Sequence, residues 1–593
     1  MTAQLRQGFG GQADRDGSRD HGYSSAGAWL LIAALALGLR LLGLRYGLPA
    51  VYNPDEVAIM SRALAFAKGD LNPHNFLYPS AYFYALFAWE GLTALVAVAT
   101  RAVDSFAAFQ REFFIDPTRV FVAGRLLTAL LGTATVVATG VLGSRIAGLR
   151  VGIVAALLLA VAPLHVLNSH YVKHDVPVTL LIVLAYLAYE RLWSVNDRPG
   201  GFRLQAEGRL IAAAVMTGVA FSTHYYAIFL AIPLAWSAAR GARTAPDAVR
   251  RIAIAACISA AVFFLLSPFI LIEPATALRD IRANRQIVID RAVENAGYVA
   301  TTAEYGRLLL TNTVGLTTAV LALAGVLFGM RRNPKRTLWL LLFPVPFLLF
   351  IASTVPASRY LVPIVPFLTL FAAIAISELW SPRLLNPGLL LFLAALGTAA
   401  VQSYRTVMFI RETDTRTLAL DYIRRTVPAG TTILTQPYSV PVEPTAAVLR
   451  EAVERTGREM PTKTSLQIAR EPYPTPAYRV IFLGRGLDAD KLYLPYEQLD
   501  GTDPLAPLRT EHVAFVVLKR YNRSDPATLP FLAALAREGR RIAVFSPYRG
   551  NAGAANAPAM DEGRPEPFLH NTDARIVPAL ERPGPIVEIW QIQ

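Results

Sequence analysis

Twelve apolar runs, each long enough or nearly long enough to cross a bilayer, crowd the first two thirds of this 593-residue chain. They lie at about 27–45, 79–100, 119–142, 150–168, 176–193, 208–222, 225–240, 250–272, 306–329, 337–354, 358–379 and 384–403. A hydrocarbon core takes roughly 20 apolar residues as helix, and backbone inside it must satisfy its own hydrogen bonds. This part of the chain is therefore restricted to packed membrane helices. The composition agrees: 17% of residues are charged, against about a quarter in a soluble domain. Cys257 is the one cysteine, which excludes a disulfide framework and any multi-cysteine metal site.

The formal net charge is +14, and its placement decides what it means. Residues 405–593 are nearly balanced, with 24 Lys+Arg against 22 Asp+Glu. The surplus sits in short loops between apolar runs, which is a topology signal and removes nucleic acid as a partner. Loops with Arg145 and Arg150, with Arg198, Arg203 and Arg209, with Arg240, Arg243, Arg250 and Arg251, and with Arg331, Arg332, Lys335 and Arg336 read as cytoplasmic. For the parity to hold, the run 79–100, which carries Glu90, is a juxtamembrane or re-entrant helix.

The expected fold is thus a polytopic α-helical membrane protein of about eleven spans plus that one embedded helix. It is a multi-pass protein of the plasma membrane in contact with membrane lipid. Residues 1–26 read as a disordered extension, 27–404 as the membrane-embedded catalytic domain, and 405–593 as an α/β domain on the outer side. In that last part the segments TTILTQ, RVIFLG, EHVAFVVLKR, RRIAVFSP and IVEIWQIQ read as strands, interspersed with helices. The Pro/Gly-rich stretch 548–567 reads as a loop.

Under this parity five polar segments converge on the outer face: NPDE (53–56), KHD (173–175), STHYY (222–226), the loop 273–305 and PASRY (356–360). Asn53-Pro54-Asp55-Glu56 has the form of a helix start, with a cap, Pro at the first position and acids near the positive dipole end. Its functional reading makes one carboxylate a general base toward an acceptor hydroxyl. Adjacent residues do not share a helix face, so Asp55 and Glu56 should differ in role. Asp175 is open to both capping and catalysis. Lys173, His174 and Asp175 together set a cation, an imidazole and an acid at one membrane face, where ionisable groups are functional candidates. His170 and His174 stand four apart beside Asp175, so a divalent metal is an alternative occupant, although no complete ligand set is visible. Arg359 is either a snorkelling residue or a phosphate clamp, to which guanidinium geometry is suited. Tyr78, His224 and Tyr360 lie on the outer segments as candidate substrate contacts. Arg279, Arg282 and Arg285 read as one face of an amphipathic interfacial helix, and Arg40, Glu90 and Arg125 as packing or snorkelling residues. The sequence has no P-loop, G-x-G-x-x-G or GxSxG motif.

The order of these motifs resembles the polyprenyl-phosphate-dependent GT-C glycosyltransferases. An acidic pair follows the first membrane helix, YPSAYFYAL comes some twenty residues later, and SHYVKHDVP and SRYLVPIVP follow further on. The likeness is greatest to glycosyltransferase family 39, the dolichyl-phosphate-mannose protein mannosyltransferase-like enzymes, over about residues 27–405; SPFILIEPATALRDI and DTRTLALDYIRRTVPAGTTIL are also similar to members. The resemblance implies inverting transfer of a sugar from a polyprenyl-phosphate carrier to an acceptor hydroxyl of a glycan, lipid or protein on the outer side. It implies Asp55 as base, with Glu56 and Asp175 the other catalytic candidates, and Lys173, His174 and Arg359 as donor-phosphate ligands. Where some relatives carry Lys-Pro-Pro this chain has Tyr78-Pro79-Ser80, so Lys173 or Arg359 would have to replace that lysine. The rival readings are an oligosaccharide ligase or polymerase using a diphosphate-linked donor, a secondary transporter, and a non-catalytic scaffold.

Overall fold

The computed structural model describes residues 17–196, 203–240, 242–285, 297–354, 356–382, 386–520, 529–549 and 580–592. Residues 1–16 of the expected extension, Arg198, residues 286–296 of the loop 273–305 and residues 550–567 of the Pro/Gly-rich stretch lie outside them.

The chain folds as a multi-pass helical membrane protein with a C-terminal α/β domain. Its first elements are α1 (Gly17–Leu41), α2 (Pro54–Ala65), α3 (Ala81–Ala99), α4 (Phe106–Ile115), α5 (Thr118–Ala147), α6 (Leu149–Ala160), α7 (Pro163–Asn168) and α8 (Asp175–Asn196). Among the described residues seven helices are long and apolar enough to cross a membrane, or eight if the bent pair Gly297–Thr313 and Leu316–Arg332 is one span. These are unbroken helices, and two of the expected apolar runs are divided locally. The run 150–168 breaks ahead of Pro163 into α6 and α7, each too short to cross alone. The run 225–240 begins as a 3₁₀ turn, Tyr225–Leu230, before the helix Ala231–Arg240. The run 79–100, expected as a juxtamembrane or re-entrant helix, is one continuous 19-residue helix, α3, without the break of a re-entrant segment; by length and apolarity it is also long enough for a span.

Small residues let the helices approach closely, as membrane packing requires where lipid supplies no hydrophobic drive. A methyl on Gly325 of the helix Leu316–Arg332 would overlap the Phe371 carbonyl of the helix Val365–Glu378. At the α5–α6 hairpin, Gly143 and Gly152 face each other across a similar approach. The buried core runs through α5, α6, α8 and Val365–Glu378, with Tyr186, Trp339 and Phe367 among its largest members.

After the helix Pro387–Arg411, Asp414 caps the amphipathic helix Thr415–Thr426, accepting a hydrogen bond from the Arg416 N–H. The strands are β1 (Thr432–Thr435), β2 (Arg479–Leu483), β3 (Leu492–Leu494), β4 (Phe515–Arg520), β5 (Gly539–Phe545) and β6 (Ile586–Ile592). They form one sheet in the order β3-β2-β1-β4-β6-β5. The first four pair in parallel, with Ile433 opposite both Val480 and Phe515. β6 closes the sheet antiparallel to β4 and β5, with Val517 opposite Ile589. The five expected strands are all present; β3, only three residues long, has too little sequence to announce itself.

Candidate active site

Asn53 sets the start of α2. Its side-chain oxygen accepts the Asp55 N–H at 3.1 Å, and Pro54 occupies the first helical position, where no N–H is needed. The capping expectation therefore holds, with Asn53 rather than a carboxylate as the cap. Asp55 and Glu56 then leave the helix in different directions. The Asp55 Oδ2 meets Lys173 Nζ at 2.9 Å and Arg359 Nη1 at 3.6 Å. Lys173 comes from the short loop between α7 and α8, and Arg359 from a 3₁₀ turn, Ser358–Ile364, that precedes Val365–Glu378. Segments more than a hundred residues apart thus meet at one carboxylate. Side-chain exposure is 3% for Lys173, 33% for Asp55 and 21% for Arg359, so the cluster is closed behind the lysine and open beside the other two. Burial pushes the Lys173 ammonium below its ordinary range, and Asp55 opposes that shift. Asp175, at the start of α8 and buried, lies within electrostatic reach of Lys173, Arg359 and Asp55.

An aromatic wall adjoins the charges. Tyr78 stacks on His174 with ring centroids 4.2 Å apart, and Tyr82 and Phe83 meet the same imidazole at 4.8 and 5.0 Å. Both His174 ring nitrogens lack a hydrogen-bond partner among the described residues. His224 stands edge-on to Tyr78 at 5.2 Å and stacks on Tyr226 at 3.7 Å. Burial drives both imidazoles down, His174 well below its usual value and His224 to about 3, with Arg359 adding to the second shift. Arg359 also lies over the Tyr360 ring, 5.1 Å from its centroid. The loop carrying Tyr78 is pinned to the helix Pro274–Arg285: Asp280 accepts the Phe76 N–H, and Asn284 donates to the Leu77 carbonyl. Tyr82, Phe83, Tyr226 and Asp280 were not singled out from sequence. The crowding of aromatics in YPSAYFYAL and STHYY was the available signal for the first three.

Of the nine sequence-predicted site residues, the structure gathers Asp55, Lys173, Asp175, Arg359, Tyr78, His174, His224 and Tyr360. Glu56 is elsewhere. It is fully buried against Arg125, whose Nε and Nη2 donate to its two oxygens at 2.9 and 2.8 Å, and it also accepts the Val172 N–H. Arg125 completes its bonds on the Leu44 and Tyr46 carbonyls. It is a buried ion-pair partner, which decides for packing over snorkelling. Arg40 is the same: it is buried and bonded to His165, Ser169 and the Ala36 and Ala160 carbonyls. Glu90 is buried in α3, facing α5 at Gly124. Arg279 pairs with Asp280.

No group of three or more His, Cys, Asp or Glu side chains is placed to hold a metal among the described residues. His170, one arm of the metal alternative, turns both ring nitrogens to carbonyls, of Val166 and Leu42.

Comparison with known proteins follows this geometry. The family model for dolichyl-phosphate-mannose-protein mannosyltransferase matches residues 107–274, a segment that holds Lys173, His174, Asp175 and His224. It agrees with the resemblance read from the motifs and supports a glycosyltransferase. No curated protein matches the chain. Among solved structures, the Archaeoglobus fulgidus oligosaccharyltransferase complex with zinc and sulfate aligns over 83% of this chain and 68% of its own, at 13% identity and TM-score 0.46. ArnT from Cupriavidus metallidurans bound to undecaprenyl phosphate aligns over 87% of this chain and 96% of its own, at 14% identity and TM-score 0.48. The Archaeoglobus fulgidus oligosaccharyltransferase AglB, with an inhibitory peptide and a dolichol-phosphate, aligns over 84% and 70%, at 12% identity and TM-score 0.49.

Proposed function

We propose that this protein is an inverting glycosyltransferase that moves a sugar from a polyprenyl-phosphate carrier to an acceptor hydroxyl at the outer face of the plasma membrane. A protein O-mannosyltransferase-like reaction is the form we favour, with the α/β domain on the same outer side. The observation that carries the reading is the meeting of one partly open carboxylate with two cations, Asp55 with Lys173 and Arg359.

Each group then has a task set by its chemistry. As the sugar–phosphate bond breaks, its electron pair stays on phosphate, and Arg359 and Lys173 stand preorganised for that charge. The acceptor hydroxyl attacks the anomeric carbon, and Asp55 takes its proton as the new bond forms. Asp175 orients the sugar or acceptor. A single displacement needs no covalent carboxylate intermediate and inverts the anomeric centre. Tyr78, His174, His224 and Tyr360 supply an aromatic surface beside the cations, with neutral imidazoles at pH 7. Lys173 and Arg359 are the protein cations that neutralise the phosphate.

The test is turnover by the purified, detergent-solubilised protein of a panel of short-chain polyprenyl-phosphate sugars that includes mannose, with candidate acceptors. Transfer or slow hydrolysis that releases polyprenyl phosphate, with product of opposite anomeric configuration, is expected. Turnover of diphosphate-linked donors alone would replace this reading with the ligase or polymerase. Counterflow of a solute without sugar transfer would replace it with transport.

A further inference from the structure

The residue two before Pro54 is held by the other domain. Tyr52, 5% exposed, lies under the Arg416 guanidinium at 3.8 Å from its ring centroid, and its hydroxyl is 2.8 Å from the Thr417 hydroxyl. Arg416 is itself fully buried and fixed. Its Nε and Nη2 donate to the two Asp414 oxygens at 2.9 and 2.7 Å, and Nη1 donates to the Tyr438 carbonyl at 3.4 Å. The adjoining Thr415 is tied to the entry of β6, through its N–H to the Pro583 carbonyl and its hydroxyl to the Pro585 carbonyl. Gly47 is also so close to Tyr52 that a Cβ there would lie 2.9 Å from the ring. The ring is therefore clamped between its neighbours, with a planar, desolvated cation over the aromatic face.

What the clamp holds is a strained start to α2. Val51, a β-branched residue, has φ 46°, a strained backbone state that persists only where its surroundings fix it. Asn53, fully buried, follows Tyr52 and caps Asp55. A continuous path thus runs from the Asp414–Arg416 pair through Tyr52 and Asn53 to the carboxylate facing Lys173 and Arg359.

We propose that Tyr52 and Arg416 are positioning residues, through which the α/β domain sets the place of Asp55. The activity arm of this inference rests on the proposed function; its second arm does not. A plain staple between the two domains would hold them together without governing the segment at the head of α2.

The test uses the full chain in detergent with three variants: Tyr52→Phe, Tyr52→Leu, and Asp414→Asn with Arg416→Gln, which neutralises both members of the pair together. Tyr52→Phe keeps the stacked ring and should stay within about twofold of wild type. The other two should lower kcat about tenfold or more at unchanged donor KM, since small misplacement of a catalytic group is costly. In the same two variants amide hydrogen exchange over residues 51–58 should quicken about tenfold, while β1 and β4 keep their protection. Unchanged exchange over 51–58 in Tyr52→Leu overturns the inference, whether or not any donor is turned over. So does equal kcat in Tyr52→Leu and wild type, or loss of protection across the whole α/β domain. Absence of transfer by wild type counts against the proposed function alone and leaves the exchange arm to decide.

Discussion

Asp55 and Glu56 are neighbours in sequence and should fail in opposite ways when neutralised. Glu56 and Arg125 are both fully buried and joined by two hydrogen bonds of 2.8–2.9 Å. Removing one partner of such a pair leaves an uncompensated buried charge, at a cost of about 3–5 kcal/mol. Glu56→Gln keeps an acceptor for Arg125 or for the Val172 N–H, but its amide turns two donors toward a guanidinium that needs acceptors. Asp55 is different, being one third exposed, with Arg359 one fifth exposed. Solvent screens that pair, so Asp55→Asn costs about 1 kcal/mol or less; Lys173 keeps the Asp175 carboxylate within electrostatic reach. The expected pattern is a sharp fall in thermal stability for Glu56→Gln with turnover per folded molecule within about threefold. For Asp55→Asn, stability is nearly unchanged and kcat falls about 10²–10⁴-fold, the usual share of general-base catalysis. Donor affinity in Asp55→Asn should hold or rise, because both cations lose their competing carboxylate. Thermal unfolding in detergent, single-turnover transfer and donor binding on one preparation read all three quantities. Transfer by Asp55→Asn within about threefold of wild type would refute the assignment, as would a stable, inactive Glu56→Gln.

Arg359→Ala and Lys173→Met each remove a charged donor for phosphate, worth about 1.5–3 kcal/mol. Donor Kd should rise roughly 10- to 150-fold in a binding assay, with thermal stability little changed for the partly exposed Arg359. Gly325→Ala should destabilise by about 1–3 kcal/mol or more, because the methyl meets the Phe371 backbone and the two helices must part; thermal unfolding checks this, and turnover per folded molecule should survive. The imidazoles set a pH dependence whose sign is fixed. Folded His224 sits near 3 and folded His174 well below its usual value, whereas both approach about 6.5 when unfolded. The unfolded chain binds the extra protons, so stability is full above pH 6.5 and declines as pH falls toward 3. His224→Gln should flatten that decline in unfolding temperatures measured between pH 7 and pH 4; an identical slope would refute it.

Much of this was legible in the chain because the constraints are local. Long apolar runs mark the helices, and short β-branched and aromatic runs such as RVIFL mark β2. Asn53 followed by Pro54 marks the start of α2 whatever lies around it. The division of labour between Asp55 and Glu56 was legible only as a rule that neighbours diverge. Which one turns toward Lys173 depends on Arg125, 69 positions away from Glu56, and nothing near NPDE encodes that. His174 shows the same limit. The resemblance implied a phosphate ligand, and nothing near it announced that its ring meets Tyr78, Tyr82 and Phe83, three residues of a motif nearly a hundred positions earlier. The breaks inside apolar runs were not legible either: Pro163 and the 3₁₀ turn at Tyr225 divide runs that hydropathy alone joins.

The proposed chemistry has a consequence for charge that explains why one carboxylate faces both cations. With the two carboxylates ionised, Lys173 and Arg359 are balanced by Asp55 and Asp175, and the site is neutral before the donor arrives. A polyprenyl-phosphate sugar is a phosphodiester and brings one negative charge. Its cleavage leaves a phosphate monoester with two, which in a partly desolvated site would be strongly disfavoured if nothing else changed. The acceptor proton resolves this when it goes to Asp55: one negative charge disappears from the carboxylate as one appears on phosphate, and the net charge of the site stays constant. The protonated Asp55 also stops competing for Lys173 and Arg359, so both cations attach more strongly to phosphate as its second charge develops. A base remote from the cations would deliver the proton bookkeeping without that gain. Its ion pairs with both cations at 2.9 and 3.6 Å mean that protonation of Asp55 directly strengthens the leaving-group site.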